Sequence, residues 1–375
     1  MAPHEQGLIV FSAKHTKVIC NNVPSANLLC LQRIPSMMIP ALDSNGNLCR
    51  SHTKKLGEDF LQGNFGDIAS IVLTSRKWVE GNAVVWITGA SRGIGEVLAK
   101  QLATLGAKII ISARNESELE RVKKQIVGLK RVSDLNLGKH GPEGIEILPL
   151  DLSSGEDAIK EVVEKAVTLF GGAGVDYMIH NAAFERPKST VLDVPEASLK
   201  ATLDVNVMGP ISLTRLLLPH MLKRGRGHFV VMSSAAGKVP APGQAVYSAS
   251  KFALNGYFHS LRSELYQKGI MVTVVCPGPI DTSNAPDTST SGQKGVKEKR
   301  VSSERCAELT LVAASHGLKE AWISYQPVLA VMYLTQYMPS VGFWLMDKVG
   351  GKRVEAAAQK GNTYSINLLF GRKKE

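Results

Sequence analysis

Ser234, Tyr247 and Lys251 are the residues of this 375-residue chain whose types and spacing could move a proton. They lie in VVMSSAAGKVPAPGQAVYSASKFALNGY, residues 230–257. A Tyr and a Lys four residues apart share one face of a helix. The helix is expected to begin near Gln244 to Ala245, just after the breakers Pro240, Pro242 and Gly243. The apolar run HFVVMS reads as a strand ending in the hydroxyl pair Ser233 and Ser234, the nearer of which stands thirteen residues before Tyr247. A phenol, with a pKa of about 10, is a poor acid or base at neutral pH. A neighbouring ammonium favours the phenolate and lowers that pKa by roughly 1–3 units. A hydroxyl opposite can hold a carbonyl oxygen where the phenol reaches it. Singly, each residue has an ordinary reading: the Tyr packs, the Lys faces water, the Ser pair caps a helix. A cofactor site upstream would decide between the two.

Residues 84–95, VVWITGASRGIG, supply that site. A β-branched run turns into glycines and opens a helix whose apolar residues Ile94, Val97, Leu98, Leu102 and Leu105 recur at helical spacing. Gly89, Gly93 and Gly95 let the backbone turn tightly and approach a pyrophosphate at the positive helix N-terminus. The spacing is G-x-x-x-G-x-G, not the commoner G-x-G-x-x-G. The strand before it, the helix after it and the next strand KIIIS (108–112) supply the context that gives the glycines meaning. That second strand leads into Ala113-Arg114. An acidic residue there would suit an unmodified ribose diol, whereas Arg114, joined by Arg92 in the turn, suits a 2′-phosphate. The expected cofactor is therefore NADP(H).

Taken together, the motifs resemble the short-chain dehydrogenase/reductase (SDR) family. They are TGASRGIG at 88–95, LDL at 150–152, HNAA at 180–183, Asn206 in DVNVMG, the Ser234/Tyr247/Lys251 set, and PGPIDT at 277–282. Within it the chain resembles the membrane-associated member 7 type, plant versions especially, and more distantly the hydroxysteroid dehydrogenases. The resemblance implies that Tyr247 is the general acid in carbonyl reduction and that Lys251 depresses its pKa and binds the nicotinamide ribose. It implies that Ser234 orients the carbonyl and that Asn206 holds a water linking Lys251 to solvent. It assigns cofactor contacts to Thr88, Gly89, Ser91, Arg92, Gly93, Ile94 and Gly95 in the turn and to Arg114, Asp151 and Leu152 beyond it. Further contacts fall to Asn181, Ala182, Pro277, Gly278, Ile280 and Thr282, besides Tyr247 and Lys251. The family more often has NNAG where this chain has HNAA, so Ala183 calls into question any backbone geometry that a glycine would allow there.

The fold expected is α/β: one doubly wound Rossmann domain (78–325) with a mostly parallel sheet of about seven strands. An N-terminal extension (1–77) precedes it and an apolar C-terminal tail (326–375) follows. The extension lacks a periodic pattern, and its longest apolar stretch, NLLCLQRIPSMMIPAL, is broken by Arg33 and two prolines. That makes it a poor membrane span. Disorder, a replaced membrane anchor and an organellar targeting role are the readings it allows. A second oddity, LKRVSDLNLG at 129–138, lengthens a connection that in α/β units usually runs about 2–6 residues.

The tail, QPVLAVMYLTQYMPSVGFWLM, is uncharged through Met346, yet Pro327, Gln336, Pro339 and Gly342 interrupt it. A monotopic element (326–346) dipping into one leaflet fits, with Lys348, Lys352 and Arg353 at the headgroups. A substrate lid and a subunit interface are the alternatives. The resemblance implies association with a membrane, that of the endoplasmic reticulum, and a homodimer or homotetramer.

Composition narrows the rest. The net charge of +11 is dispersed over the extension, residues 292–300 and the end of the chain, with no nucleic-acid-binding motif beside it. A solvated basic surface explains it, and no nucleic-acid partner is expected. Five cysteines, Cys20, Cys30, Cys49, Cys276 and Cys306, show no metal spacing. The function expected is NADP(H)-linked interconversion of a ketone or aldehyde and an alcohol on an apolar steroid, retinoid or lipid-like substrate. A catalytically idle NADP(H)-binding scaffold and a membrane-surface adaptor are the rivals.

Overall fold

The computed structural model describes residues 83–128, 144–185, 190–282 and 300–358, all within one compact unit, Val72–Glu375. The extension, the 129–138 insertion, the basic run before Arg300 and the last residues of the tail lie outside the described residues.

The first strand β1 (Val84–Thr88) is buried along its whole length. It leads into helix α1 (Gly93–Thr104), strand β2 (Lys108–Ser112) and helix α2 (Glu116–Val127). Then come β3 (Ile145–Ile147), α3 (Glu156–Gly172) and β4 (Tyr177–His180). A helical stretch follows: α4 (Glu196–Leu203), a π-helical turn (Asp204–Met208) and α5 (Gly209–Lys223). Strand β5 (Gly227–Met232) and the long helix α6 (Ala245–Leu265) carry the Ser, Tyr and Lys. Strand β6 (Ile270–Pro277) is followed by the small strands β7 (Ile280–Asp281) and β8 (Val301–Ser302), which pair with each other. Helix α7 (Ser303–Ser315) and strand β9 (Glu320–Ile323) complete the sheet.

Seven strands pair in the order β3-β2-β1-β4-β5-β6-β9, each pair parallel. A parallel sheet needs both faces covered, so its strands are near-continuous apolar runs such as VVWIT and KIIIS. One face packs Leu98 and Leu102 of α1, Leu119 and Val122 of α2, and Cys306 and Leu311 of α7. The other packs Ile159 and Val163 of α3, Leu213 and Leu217 of α5, and Leu254 and Phe258 of α6. The chain runs outward from β1 to β3 and then returns to β4 on the other side of β1. That reversal opens a crevice at the carboxyl ends of β1 and β4, where the glycine turn lies. The fold is the doubly wound α/β domain that the motif order implies.

The tail is not one element. It forms two helices, α8 (Val328–Tyr337) and α9 (Pro339–Ala358), parted at Met338. Gly342 lets them touch backbone to backbone, since a Cβ there would lie 2.6 Å from the Thr335 Cα. Among the described residues no helix is long and apolar enough to cross a membrane.

Candidate active site

The glycine turn is built by what surrounds it. Gly89 has a φ of +66°, the left-handed region that a glycine enters without strain. A Cβ on Gly95 would sit 2.2 Å from the Gly89 carbonyl oxygen and 2.5 Å from the Asn181 side-chain nitrogen. Asn181 Nδ2 donates to the Thr88 and Gly89 carbonyls at 3.0 and 3.1 Å. The Thr88 hydroxyl accepts from the backbone N–H groups of Asn181 and Ala182 at 3.1 and 3.2 Å. Thr88, Asn181 and Ala182 thus lock the end of β4 onto the turn. Arg121 closes the other side, donating to the Ser91 carbonyl at 2.8 Å and pairing with Glu96 at 2.8 Å. Sequence reasoning missed Arg121. Its place in the second turn of α2, off the face that Leu119, Val122 and Ile126 bury, gave no sign of a partner thirty residues back.

The turn's outer side is open. A Cβ on Gly93, where φ is +57°, would meet only the Thr282 methyl, at 3.8 Å. A cradle closed behind by backbone and open in front fits a pyrophosphate at the first turn of α1, where Gly93, Ile94 and Gly95 lie. Arg92, immediately before that helix, and Arg114, just past β2, are both exposed. Asp151 accepts from the Ser153 N–H and hydroxyl at 2.9 and 2.7 Å. Partial burial would raise its pKa, but those bonds and the Arg114 charge outweigh it and hold the carboxyl below its usual range. Leu152 turns its side chain into the core, against the space that Gly209 leaves. Any cofactor contact from Leu152 therefore falls to its main chain. Gly278 donates its N–H to the Ile323 carbonyl at 2.9 Å, so Pro277 and Gly278 are tied to β9. Ile280 packs against the core face shared with α1, which brings Thr282 beside Gly93. Ala183 is not among the residues with positive φ, so no glycine is needed there. His180, buried in the same HNAA segment, stacks on Phe229 and shares a hydrogen bond with Thr214 at 2.8 Å. Burial pushes its pKa down to about 3, which keeps it a neutral core residue.

The second half of the crevice is made by β5 and α6. Lys251 is 2 % exposed and donates to the Met232 carbonyl at 2.8 Å, at the end of β5. Its Nζ lies 5.6 Å from the centre of the Tyr247 ring. Burial pushes the Lys251 pKa down to about 8, against the pull of the Glu185 carboxylate. Tyr247 is half-buried, and Ser234 is half-buried at the start of a short 3₁₀ turn (Ala235–Gly237), where its hydroxyl accepts from the Ala236 N–H. Ser233, the other member of the hydroxyl pair, is buried with its Oγ toward the Lys251 carbonyl.

Asn206 lies fully buried in the π-helical turn. Its Oδ1 accepts from the Phe184 N–H at 2.6 Å, and its Nδ2 donates to the Phe184 carbonyl at 3.0 Å and to Ser250 Oγ at 3.1 Å. The side chain of Asn206 is committed to protein partners. It ties the chain beyond β4 to the turn of α6 between Tyr247 and Lys251. Ser234, Tyr247, Lys251 and Asn206 are thus brought to the carboxyl end of one pair of strands, and the glycine turn to the next.

Residues 83–292 match the family model described as short chain dehydrogenase. The chain belongs to the short-chain dehydrogenase/reductase family. It is 38% identical over 289 residues to the human dehydrogenase/reductase SDR family member 7, covering 74% of this chain and 81% of that one. It is 35% identical to the Xenopus laevis member 7B, covering 76% of this chain and 86% of the relative. A metagenomic short-chain oxidoreductase solved in complex with NADP is similar at 28% identity and a TM-score of 0.51, covering 65% of this chain and 96% of that one. Family membership makes the protein an NAD(P)-dependent oxidoreductase acting on a small molecule.

Proposed function

We propose that the protein interconverts a ketone or aldehyde and the corresponding alcohol with NADP(H), on an apolar substrate of steroid, retinoid or lipid-like class. The observation that carries this reading is Lys251, buried under the Tyr247 ring and anchored to the last carbonyl of β5. A buried ammonium is costly unless it has work or partners. Here it can favour the Tyr247 phenolate and so bring the phenol's proton within reach of catalysis at neutral pH. Tyr247 gives its proton to the carbonyl oxygen during reduction, and Ser234 Oγ holds that oxygen. Because the Asn206 side chain is committed to Phe184 and Ser250, a water relaying protons to Lys251 would use its main-chain carbonyl, which a π-helical turn can spare. The cofactor, when bound, supplies the hydride.

Arg92 and Arg114, exposed at the edge of the glycine turn, support NADP(H) over NAD(H), and the NADP complex of the metagenomic relative is in keeping with that. Asn181, held against the turn, would abut the cofactor, and Pro277 to Thr282 would cover it.

Tyr247→Phe removes the proton and little else. Turnover of NADPH with a panel of steroid, retinal and aldehyde carbonyls should fall by roughly 10²–10⁴-fold, with NADPH binding retained. Near wild-type turnover would sink the mechanism.

The tail supports a membrane-proximal site. Tyr337, Met338, Val341, Phe343 and Trp344 are exposed around the corner between α8 and α9, and the Lys348 ammonium lies 5.9 Å from the Trp344 ring. Aromatics beside lysines suit a bilayer interface. On its other side the tail meets the catalytic segment: Met346 packs on the core, and a Cβ on Gly350 would be 3.6 Å from Pro242. One hairpin can therefore wall the site and rest on a leaflet, as at the endoplasmic reticulum membrane. Full-length protein should float with phospholipid vesicles, and a Phe343→Ser/Trp344→Ser variant should not. Equal partitioning of the two would remove the membrane from the reading.

A further inference from the structure

Four residues after Ser234, Lys238 reaches across to the last strand of the sheet. Its Nζ lies 2.8 and 3.0 Å from the two carboxylate oxygens of Glu320 in β9. The same carboxylate takes His259 Nε2 of α6 at 2.9 Å and the indole N–H of Trp322. Glu320 and Lys238 are each nearly out of solvent, at 14% and 13% side-chain exposure. A carboxylate this buried is tolerated only with partners for its charge: Lys238 and the Trp322 indole donate to Glu320, and His259 lies at ion-pair distance.

What these donors are attached to gives the cluster its meaning. Lys238 closes the 3₁₀ turn that Ser234 opens: the Gly237 N–H bonds the Ser234 carbonyl and the Lys238 N–H bonds the Ala235 carbonyl, both at 2.9 Å. The Gly237 carbonyl in turn accepts from Asn255 of α6 at 2.8 Å. Tyr247, Lys251, Asn255 and His259 recur every four residues and so share one face of α6. The first two would meet the substrate and cofactor; the last two seat the Ser234 turn, one directly and one through Glu320.

We propose that Glu320 is a positioning residue for the reaction: through Lys238 and His259 it fixes the Ser234 turn against the face of α6 that bears Tyr247 and Lys251. This rests on the Ser–Tyr–Lys reading above. A serine hydroxyl must hold the carbonyl oxygen within hydrogen-bond reach of the phenol, and a displacement of about 1 Å can cost 10²-fold in rate.

The test compares wild type with Glu320→Gln, which keeps the shape and removes the charge, and with Lys238→Met, which removes the other partner. With NADPH and the best carbonyl of the panel, kcat should fall roughly 10- to 100-fold while the NADPH dissociation constant stays put. Amide hydrogen exchange should quicken across residues 234–243 and stay slow in β1 and α1. Unchanged exchange at 234–243, or a uniform quickening that includes β1, overturns the proposal and leaves Glu320 a plain stabilising residue. A wild-type kcat in a folded variant overturns it too. Should Tyr247→Phe retain turnover, the catalytic reading falls, and the exchange result still decides whether Glu320 holds the turn. Should Tyr247→Phe be dead and Glu320→Gln normal, only the positioning role falls.

Discussion

A Cβ on Gly95 would lie 2.2 Å from the Gly89 carbonyl oxygen, whereas Lys251 matters for the ammonium it carries down to the Met232 carbonyl. The two halves of the crevice are close in space and differ in kind. Around β1 and α1 the site is a backbone shape, kept by side chains that are missing (Gly89, Gly93, Gly95) and by three that bond to main chain, Thr88, Asn181 and Arg121. Around β5 and α6 it is a set of charged and hydroxyl groups, with Glu320 and Lys238 behind them. The first kind should fail sterically and all at once. The second should fail by degrees and should depend on pH.

The sharpest way to break this contrast is Gly95→Ala. The new methyl cannot be absorbed, because the atoms it meets are the Gly89 carbonyl and an Asn181 amide already bound to Thr88 and Gly89. Overpacking of this sort costs about 1–3 kcal/mol of stability. The larger loss should be NADPH binding, by more than about 100-fold (roughly 2.7 kcal/mol), since the turn must open to admit the methyl. Titration calorimetry on the folded variant measures it, and full NADPH affinity would show that the turn is not the cradle.

A smaller effect should follow from Arg92→Ala/Arg114→Ala. Both side chains are exposed, so each contributes a solvent-screened contact and not a buried ion pair. Charge-assisted bonds to a 2′-phosphate should still make the pair worth about 10- to 100-fold in the KM for NADPH. The KM for NADH should barely move. Equal losses for both cofactors would mean that the arginines support the turn in general and do not read the phosphate.

Much of this contrast was legible in the sequence, and the reason is local. The glycine turn, its strand and its helix occupy twenty-odd consecutive residues, and Tyr247 and Lys251 lie one helical turn apart. The doubly wound sheet of about seven strands and the helix start near Ala245 follow from such short-range patterns. What escaped is long-range. Glu320 lies 82 residues from Lys238, and Asn206 is 22 residues from the Phe184 backbone it clamps. The Glu320–Lys238 pair shows no periodicity or motif, because a single ion pair across a sheet needs only two residues, and the motif around Asn206 names the residue without naming the Phe184 backbone it binds. The tail escaped in part for another reason. Pro339 and Gly342 were read as interruptions of one apolar element, when Pro339 starts a second helix and Gly342 lets it fold back on the first.

The smallest effect expected is one that only the side-chain half should show. Burial alone would raise the Glu320 pKa, but its contacts with His259, Lys238 and Trp322 outweigh it and bring the carboxyl from an ordinary 4.5 down to about 2. A carboxylate whose folded pKa is depressed adds stability that is complete above its unfolded pKa and disappears as pH falls through the folded one. Glu320 should therefore stabilise the fold fully above about pH 4.5 and lose that contribution between there and about pH 2, on the order of 3 kcal/mol in all. In urea unfolding, the margin of wild type over Glu320→Gln should shrink steadily as pH falls across that window. The glycine turn has one comparable carboxylate, Glu96, which Arg121 and Lys100 hold below its usual range against its own burial. Its partner Arg121 is 38% exposed, so solvent screens that pair more than it screens Glu320. Glu96→Gln should accordingly narrow the gap by less than half as much over the same range. A margin for Glu320 that does not change with pH would mean that its partners hold it by shape alone, and the division of the crevice into a steric half and an electrostatic half would fail at its most buried ion pair.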